Sequence, residues 1–192
     1  MLEQDLHIHT TFSTGDSSIV PEQTVDLIAR YPHARIIGIS DHLEYVLDNR
    51  FDVYKEAVCS KGFYLGIEIG GGKWVSIAVE LPVDYYIFHC KDNSDDYRGL
   101  ELLIETGKPV IVAHPFIMGT NLKKVPSGSI IEINNRYIWR TSRYRELAEY
   151  KGRFDFILSS DAHQPNWLSQ HIARSIALEL SIEEKLLFPE KS

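Results

Sequence analysis

The chain has 192 residues, with 20 Lys and Arg against 27 Asp and Glu, and a formal charge of −7 with histidine neutral. This length suits a single domain spanning residues 1–192, with a core large enough to need no disulfides. A net acidic chain lacks the basic surface on which long nucleic acids bind, so no such partner is expected. A hydrophobic content of 44% excludes an intrinsically disordered chain.

Neither export nor membrane insertion is indicated by the sequence. Cys59 and Cys90 are too few for a disulfide framework. Residues 1–5 contain no basic segment followed by an apolar one, so no signal peptide is visible. Apolar runs stay well below the roughly 18 residues of a membrane helix. We therefore expect a soluble, cytoplasmic protein with no membrane partner, and the sequence leaves its oligomeric state open.

Short apolar, β-branched runs alternate with longer amphipathic segments, which predicts parallel strands joined by right-handed crossovers. A further apolar stretch, 74–79, fits either a strand or a helix. Strands are predicted at 5–9, 35–40, 63–69, 85–89, 110–113, 130–134 and 154–159. Helices are predicted from Pro21 onward, at 45–59, 97–105, 138–150 and 167–180, and from Ser181.

Seven strands are few for an eight-stranded β/α barrel, which typically needs about 250 residues. The expected fold class is therefore α/β, with a lean or irregular barrel as the favoured architecture. A doubly wound open sheet is the alternative.

Histidines concentrate where the predicted strands end. Of the eight histidines, only His33 and His171 fall elsewhere. The carboxyl ends of parallel strands share one rim of a barrel, where active sites form. Imidazole and carboxylate side chains together suit zinc, iron or manganese. A single histidine at a strand end is usually a hydrogen-bonded residue without a metal role. Six histidines at strand ends are not readily explained by chance. The residues at these strand ends are His7, His9, His42, Glu68, His89, His114, Asp161 and His163.

These residues fall in motifs that resemble the PHP (polymerase and histidinol phosphatase) family. The segments 5–10, 40–42, 114–115 and 160–163, with Glu68 and His89 between them, match its motifs in order and span most of the chain. The resemblance implies a distorted seven-stranded (β/α)7 barrel that hydrolyses phosphate esters with two or three divalent ions of zinc, manganese or iron.

The resemblance also implies how ligands are shared among three ions. His7, His9, Glu68 and Asp161 would hold the first ion, while Glu68, His89 and His114 would hold the second. His42 and His163 would hold the third with one more ligand. The family usually places Asp or His where this chain has Thr14 and Gly15, so Asp16 is the candidate, and the alternative is that Asp16 only caps its loop.

Other polar residues near the rim have proposed supporting roles. Asp5 and Asp41 lie beside ligands and would orient metal-bound imidazoles, or serve only as strand-end polar residues. Arg136 follows a strand that resembles the family's Glu-Ile-Asn strand and is the candidate phosphate contact. The alternative is that the arginines at 136–145 form a solvated helix face. Cys90 and the aromatic residues Tyr85, Tyr86, Tyr137 and Trp139 are expected to pack in the core.

The favoured function is hydrolysis of a small phosphomonoester by a metal-bridged hydroxide. Glu68 would act by bridging two ions, and Asp161 or His163 would handle protons, although metal ligands make poor free bases. A phosphodiesterase or exonuclease acting on nucleotides or short nucleic acid is the alternative. An amidohydrolase is disfavoured because no lysine ends a strand near mid-chain, and an accessory domain because nearly every ligand is present.

Overall fold

A computed structural model describes residues 1–191 and has seven strands in one all-parallel sheet. The strand order follows the chain order, so each strand pairs with its predecessor through a crossover connection. The strands are β1 (Leu2–Asp5), β2 (Ala34–Ile39), β3 (Tyr64–Ile69), β4 (Tyr85–Phe88), β5 (Val110–Val112), β6 (Ile130–Asn134) and β7 (Asp155–Ser159). The sheet curls into a nearly closed barrel, which confirms the α/β class and excludes the open-sheet alternative.

The first strand differs most from its prediction, because β1 ends at Asp5 rather than continuing to His9. The chain beyond it stays extended and makes isolated contacts with both neighbours. Ile8 pairs with Ala162 in a single bridge, and the Ser40 amide donates to the Ile8 carbonyl at 2.9 Å. The segment carrying His7 and His9 is thus held in place without belonging to a regular ladder.

The helices are shorter and more broken than the sequence predicts. The first begins at Val25 rather than Pro21, because the Thr24 hydroxyl accepts the Leu27 amide as an N-cap. Asp48, with a φ of 58°, divides the predicted 45–59 helix. The α-helices are α1 (Val25–Arg30), α2 (Leu43–Val46), α3 (Asn49–Cys59), α4 (Val75–Ala78), α5 (Ser94–Glu105), α6 (Pro115–Met118) and α7 (His171–Leu180).

Three further segments correct the predictions. The ambiguous stretch 74–79 is helical, with a 3-10 turn at Gly72–Trp74 leading into α4. The predicted 138–150 helix forms 3-10 turns at Ile138–Arg140 and Ser142–Tyr150. Residues 182–191 contain no helix, since Ser181 adopts a left-handed φ of 52° and ends α7.

Two hydrophobic clusters hold the barrel together. The larger one lies between the sheet and the helices, and the smaller one fills the barrel interior with alternate strand residues such as Ile36, Tyr85, Ile111 and Ile157. Phe188 stacks on Tyr64 with ring centroids 4.1 Å apart, at the amino ends of the strands. The C-terminal segment therefore covers the end of the barrel opposite the histidines.

The barrel is closed between β1 and β7 mainly by side chains. Nε2 of the buried Gln170 donates to the carbonyls of Gln4 and Leu158, at 2.8 and 3.0 Å. Nε2 of Gln23 donates to the His9 carbonyl at 3.0 Å. These amides replace part of the ladder that an eighth strand would supply.

Gly66 lets the Tyr85 ring cross the barrel interior. A Cβ added at Gly66 would lie 2.3 Å from Cζ of Tyr85, whose side chain is fully buried. We expect Gly66→Ala to lower the free energy of unfolding by about 1–3 kcal/mol, the usual cost of overpacking a core. Urea denaturation measures the change. Gly152→Ala is the matched control, because its Cβ would meet nothing within 4 Å.

Within residues 1–191, none of the helices has both the length and the apolar character needed to cross a membrane.

Candidate metal centre

The carboxyl ends of the strands bring the predicted histidines and carboxylates together at one site, where all except His7 and His9 line a cavity. Glu68 lies near the end of β3, and the other residues follow the last residues of their strands. Parallel strands all end on the same rim, so side chains distant in sequence converge there. The cavity has a volume of about 220 Å³, and its lining includes Asp16, His42, Glu68, His89, His114, Arg136, Asp161 and His163.

Glu68 lies at the centre of this cavity, with its two carboxylate oxygens facing different histidines. Oε1 lies 3.1 Å from Nε2 of His7, 2.5 Å from Nε2 of His89 and 3.7 Å from Nε2 of His114. Oε2 lies 3.3 Å from Nε2 of His9 and 2.8 Å from Nδ1 of His42. A carboxylate so placed can bridge two ions.

The donor atoms form three overlapping groups that could hold metal ions. In each group the candidate ligand atoms lie within 4.8 Å of one another. The groups are His7, His9 and Glu68; Glu68, His89 and His114; and His9, His42 and His163. The second group has the expected members, the first lacks Asp161, and the third has His9 where Asp16 was the candidate.

The chemistry of the donor set fits a divalent metal. Nε2 of His7 and Nε2 of His9 lie only 3.1 Å apart, and both side chains are fully buried. Within residues 1–191, Nδ1 of His9 and Nδ1 of His114 are buried without a hydrogen-bond partner. Buried imidazoles aimed at each other and at carboxylates match the ligands of zinc, manganese and iron.

Asp16 reaches the cavity from the loop after the first histidine pair. The Ser18 amide donates to Oδ1 of Asp16 at 2.7 Å, which fixes the carboxylate. Oδ2 then lies 2.9 Å from Nε2 of His163 and 3.5 Å from Nε2 of His42. The structure thus places Asp16 beside His42 and His163, the pair that the resemblance assigns to one ion.

Asp161 and His114 both have unusual backbone conformations. Their φ angles are 52° and 26°, in a region that residues other than glycine rarely adopt. Oδ1 of Asp161 lies 3.8 and 3.7 Å from Nε2 of His7 and His9, and Oδ2 accepts Nδ2 of Asn134 at 3.0 Å. Backbone strain of this kind clusters at functional sites, where surrounding contacts maintain it.

Glu132 is the residue that orients His7, a role that sequence reasoning missed. Oε1 of this fully buried carboxylate lies 2.6 Å from Nδ1 of His7. Oε2 accepts the His114 amide at 2.6 Å and Nδ2 of Asn134 at 3.0 Å. Glu132 and Asn134 are two residues apart on β6 and therefore share a face of the strand. This spacing could have indicated that both face the barrel interior.

The structure supports the second of the two roles considered for Asp5 and Asp41, that of strand-end polar residues. Asp5 accepts hydrogen bonds from Nε2 of His33 at 2.9 Å and from the Ser160 amide at 3.0 Å. Asp41 accepts the Thr10 amide at 2.7 Å, and the Thr10 and Ser13 hydroxyls at 2.6 Å each. Both carboxylates therefore anchor backbone and loops rather than candidate ligand imidazoles.

Neighbouring carboxylates raise the pKa of two histidines. Burial lowers the pKa of His42, but Glu68 and Asp16 outweigh burial and raise that pKa to about 11. Burial also lowers the pKa of His7, but nearby carboxylates, Glu132 foremost, hold that pKa well above its usual value. Both imidazoles are therefore protonated at neutral pH when no metal is bound.

The remaining shifts leave other donors free of protons. Burial and the charge of His42 lower the pKa of His9 well below its usual value. Burial lowers the pKa of His163 as well. Burial raises the pKa of Glu68, but the surrounding histidines outweigh burial and hold that pKa well below its usual range. These three side chains are ready to bind a cation at neutral pH.

Arg136 lies at the edge of the cavity, between two aromatic rings. Its Nη1 is 3.6 Å from Oδ1 of Asp161 and 3.1 Å from Nε2 of His163. Its Cζ lies 4.9 Å from the ring centre of Tyr137 and 5.0 Å from that of Trp167. The guanidinium is therefore held in place by cation–π contacts while facing the candidate ligands.

The arginines that follow Arg136, and the aromatic and cysteine residues expected in the core, have different environments. Arg143 pairs with Glu146 at 2.9 Å and Arg145 with Glu179 at 3.4 Å, so these two arginines belong to the solvated surface. Tyr85, Tyr86 and Cys90 are fully buried in the core, as expected, but Trp139 is 57% exposed. The prediction that Trp139 packs inside the barrel is wrong.

No protein-family model matches the chain, and no curated protein is significantly similar to it.

Replacing Glu132 with Gln tests whether this buried carboxylate supports the site. The amide keeps its shape but loses the charge that orients His7, so we expect metal affinity to fall about 10- to 100-fold. Competition with a fluorescent chelator measures the affinity. Glu179→Gln, on the surface, is the control. Unchanged affinity in a folded Glu132→Gln variant would contradict the assigned role.

Proposed function

We propose that this protein is a metal-dependent phosphoesterase of the PHP type that hydrolyses a small phosphomonoester. The observation that carries the proposal is the set of three overlapping donor groups around Glu68, with Arg136 at the edge of the same cavity. Groups that share ligands suit two or three ions held close together, which is the arrangement used for hydrolysis of phosphate esters.

Each side chain of the site has a distinct position relative to Glu68, and its proposed role follows from that position. Glu68 would bridge two ions, with His7 and His9 on one side and His89 and His114 on the other. A divalent metal held by these residues would supply a nucleophilic hydroxide near neutral pH, the chemistry needed to hydrolyse a phosphate ester to the free alcohol and phosphate. Glu132 would keep Nε2 of His7 aimed at the site by holding Nδ1.

Arg136 would bind the phosphate. A guanidinium forms paired hydrogen bonds with phosphate oxygens, and its charge opposes the negative charge of the ester. Asp161 and His163 lie within 3.6 Å of Nη1 of Arg136, so the phosphate would meet the arginine beside the candidate ligands. Both residues are candidate proton carriers, but their expected role as ligands leaves them poor free bases.

A panel of phosphate esters tests the proposal. The protein, loaded separately with manganese, zinc or iron, is incubated with phosphomonoesters, bis-p-nitrophenyl phosphate and end-labelled oligonucleotides, and released phosphate or shortened product is measured. We expect phosphomonoester hydrolysis that EDTA abolishes. Preferential cleavage of the diesters or oligonucleotides would favour the phosphodiesterase alternative. Full metal loading without hydrolysis of any ester would refute the proposal.

A further inference from the structure

A second cleft adjoins the metal cavity and shares Arg136 with it. We call this the indole cleft, and its walls include Trp139, Trp167, Arg136, Arg140, His171 and Ile172. It has a volume of about 490 Å³, larger than the metal cavity. A cleft of that size can bury a small organic group.

The indole cleft presents apolar surface that the fold itself does not cover. Trp139 is 57% exposed and Ile172 is 40% exposed. Cζ of Arg140 lies 5.3 Å from the ring centre of Trp139, so cation and indole form one wall. Exposed tryptophan with arginine beside it is a typical surface for stacking a planar aromatic ring.

Arg136 links the two cavities directly. Its Nη1 faces Asp161 at 3.6 Å, while its Cζ lies 5.0 Å from the ring centre of Trp167 on the other side. The ring centroids of His163 and Trp167 are 6.2 Å apart. A ligand whose phosphate meets Arg136 therefore has the indole cleft within reach of its remaining atoms.

We propose that the indole cleft binds the alcohol portion of the substrate, as a planar aromatic ring joined to the phosphate through a short non-aromatic spacer. This inference rests on the proposed function and adds the substrate class to it. The spacer is needed because Trp139 and Trp167 line the indole cleft and not the metal cavity, where the phosphate would bind. A nucleoside monophosphate has this shape, with the sugar as the spacer. Trp139 and Trp167 are then specificity-determining residues.

A matched pair of substrates tests the ring preference. Adenosine 5′-monophosphate and ribose 5-phosphate share the sugar and phosphate, and the base of the first is replaced by a hydroxyl in the second. The ratio of their kcat/KM values therefore reports the contribution of the base. Stacking on an aromatic side chain predicts a ratio of about 5 to 150 in favour of the nucleotide. Trp139→Ala is expected to bring the ratio toward one, and Trp139→Phe to retain most of it. Leu178→Ala, which trims an 81% exposed side chain elsewhere, is the control.

Binding without metal gives an independent measurement. Titrating the metal-free protein with adenosine 5′-monophosphate should quench tryptophan fluorescence, and a Trp74→Phe background removes the tryptophan outside the cleft. The quenching should be lost in Trp139→Ala, with circular dichroism confirming the fold. Hydrolysis of both esters at equal rates, without quenching, would overturn this inference and leave the proposed function intact. Hydrolysis of neither ester, with quenching preserved, would instead count against the proposed function.

Discussion

Replacing Glu68 with Gln is expected to lower phosphomonoester hydrolysis by more than about 100-fold, a larger loss than removing a residue that only orients a ligand. Five imidazoles face the Glu68 carboxylate, and two of the three donor groups include it. An amide keeps the shape but loses the charge and one acceptor oxygen, so it cannot bridge two ions. Steady-state kinetics and elemental analysis of bound metal measure the two effects.

The controls for this substitution separate chemistry from folding. Glu80→Gln changes an exposed carboxylate and should leave hydrolysis and metal content unaltered. Circular dichroism on Glu68→Gln establishes that the barrel is intact. A folded Glu68→Gln variant with normal metal content and normal hydrolysis would show that the centre is assigned to the wrong residues.

Metal binding is expected to release at least about two protons and to tighten about 100-fold from pH 6 to pH 7. The pKa of His42 is raised to about 11, and that of His7 is held well above its usual value. Both side chains are protonated in the metal-free protein across this range, but a ligand nitrogen must be deprotonated. Each proton released makes the apparent affinity rise about tenfold per pH unit, so affinity increases as pH rises.

Calorimetry in buffers of different ionisation enthalpy counts the released protons. His42→Asn should reduce the count by about one, because a protonated imidazole is removed from the site. His171→Gln changes an exposed histidine outside the metal cavity and should leave the count unchanged. Affinity that falls with rising pH would contradict the placement of His7 and His42 among the ligands.

The strand pattern was predictable because buried parallel strands are short, apolar and β-branched, and the polar residues that follow them stand out. That is how the sequence located Glu68 on β3 and the histidine after each neighbouring strand. The pattern failed at β1, where Ile8 makes only an isolated bridge to Ala162. Sequence periodicity reports which side chains are buried, and it does not report which backbone groups pair in a ladder.

The supporting residues were harder to predict because they depend on contacts between distant elements. Glu132 reaches His7 across 125 positions of sequence, so the two-residue period on β6 could indicate the face that Glu132 occupies but not its partner. Asp5 and Asp41 lie near candidate ligands in sequence, but their hydrogen-bond partners come from other segments, such as His33 for Asp5 and Thr10 for Asp41, which the local sequence does not reveal. Trp139 looked like a core residue by type, and only the packing of the 3-10 turns showed that it is exposed.

The closure between β1 and β7 has a consequence for how the chain opens. The residues at the candidate centre come from both sides of this gap, with His7 and His9 after the first strand and Asp161 and His163 after the last. An ion held between them would link the first and last strands of the sheet and so stabilise the closed barrel. Without that ion, the side-chain amides of Gln23 and Gln170 hold most of the closure. The His9 amide, bonded to the Ala162 carbonyl at 2.9 Å, should therefore exchange its hydrogen faster in the metal-free protein than in the metal-loaded protein.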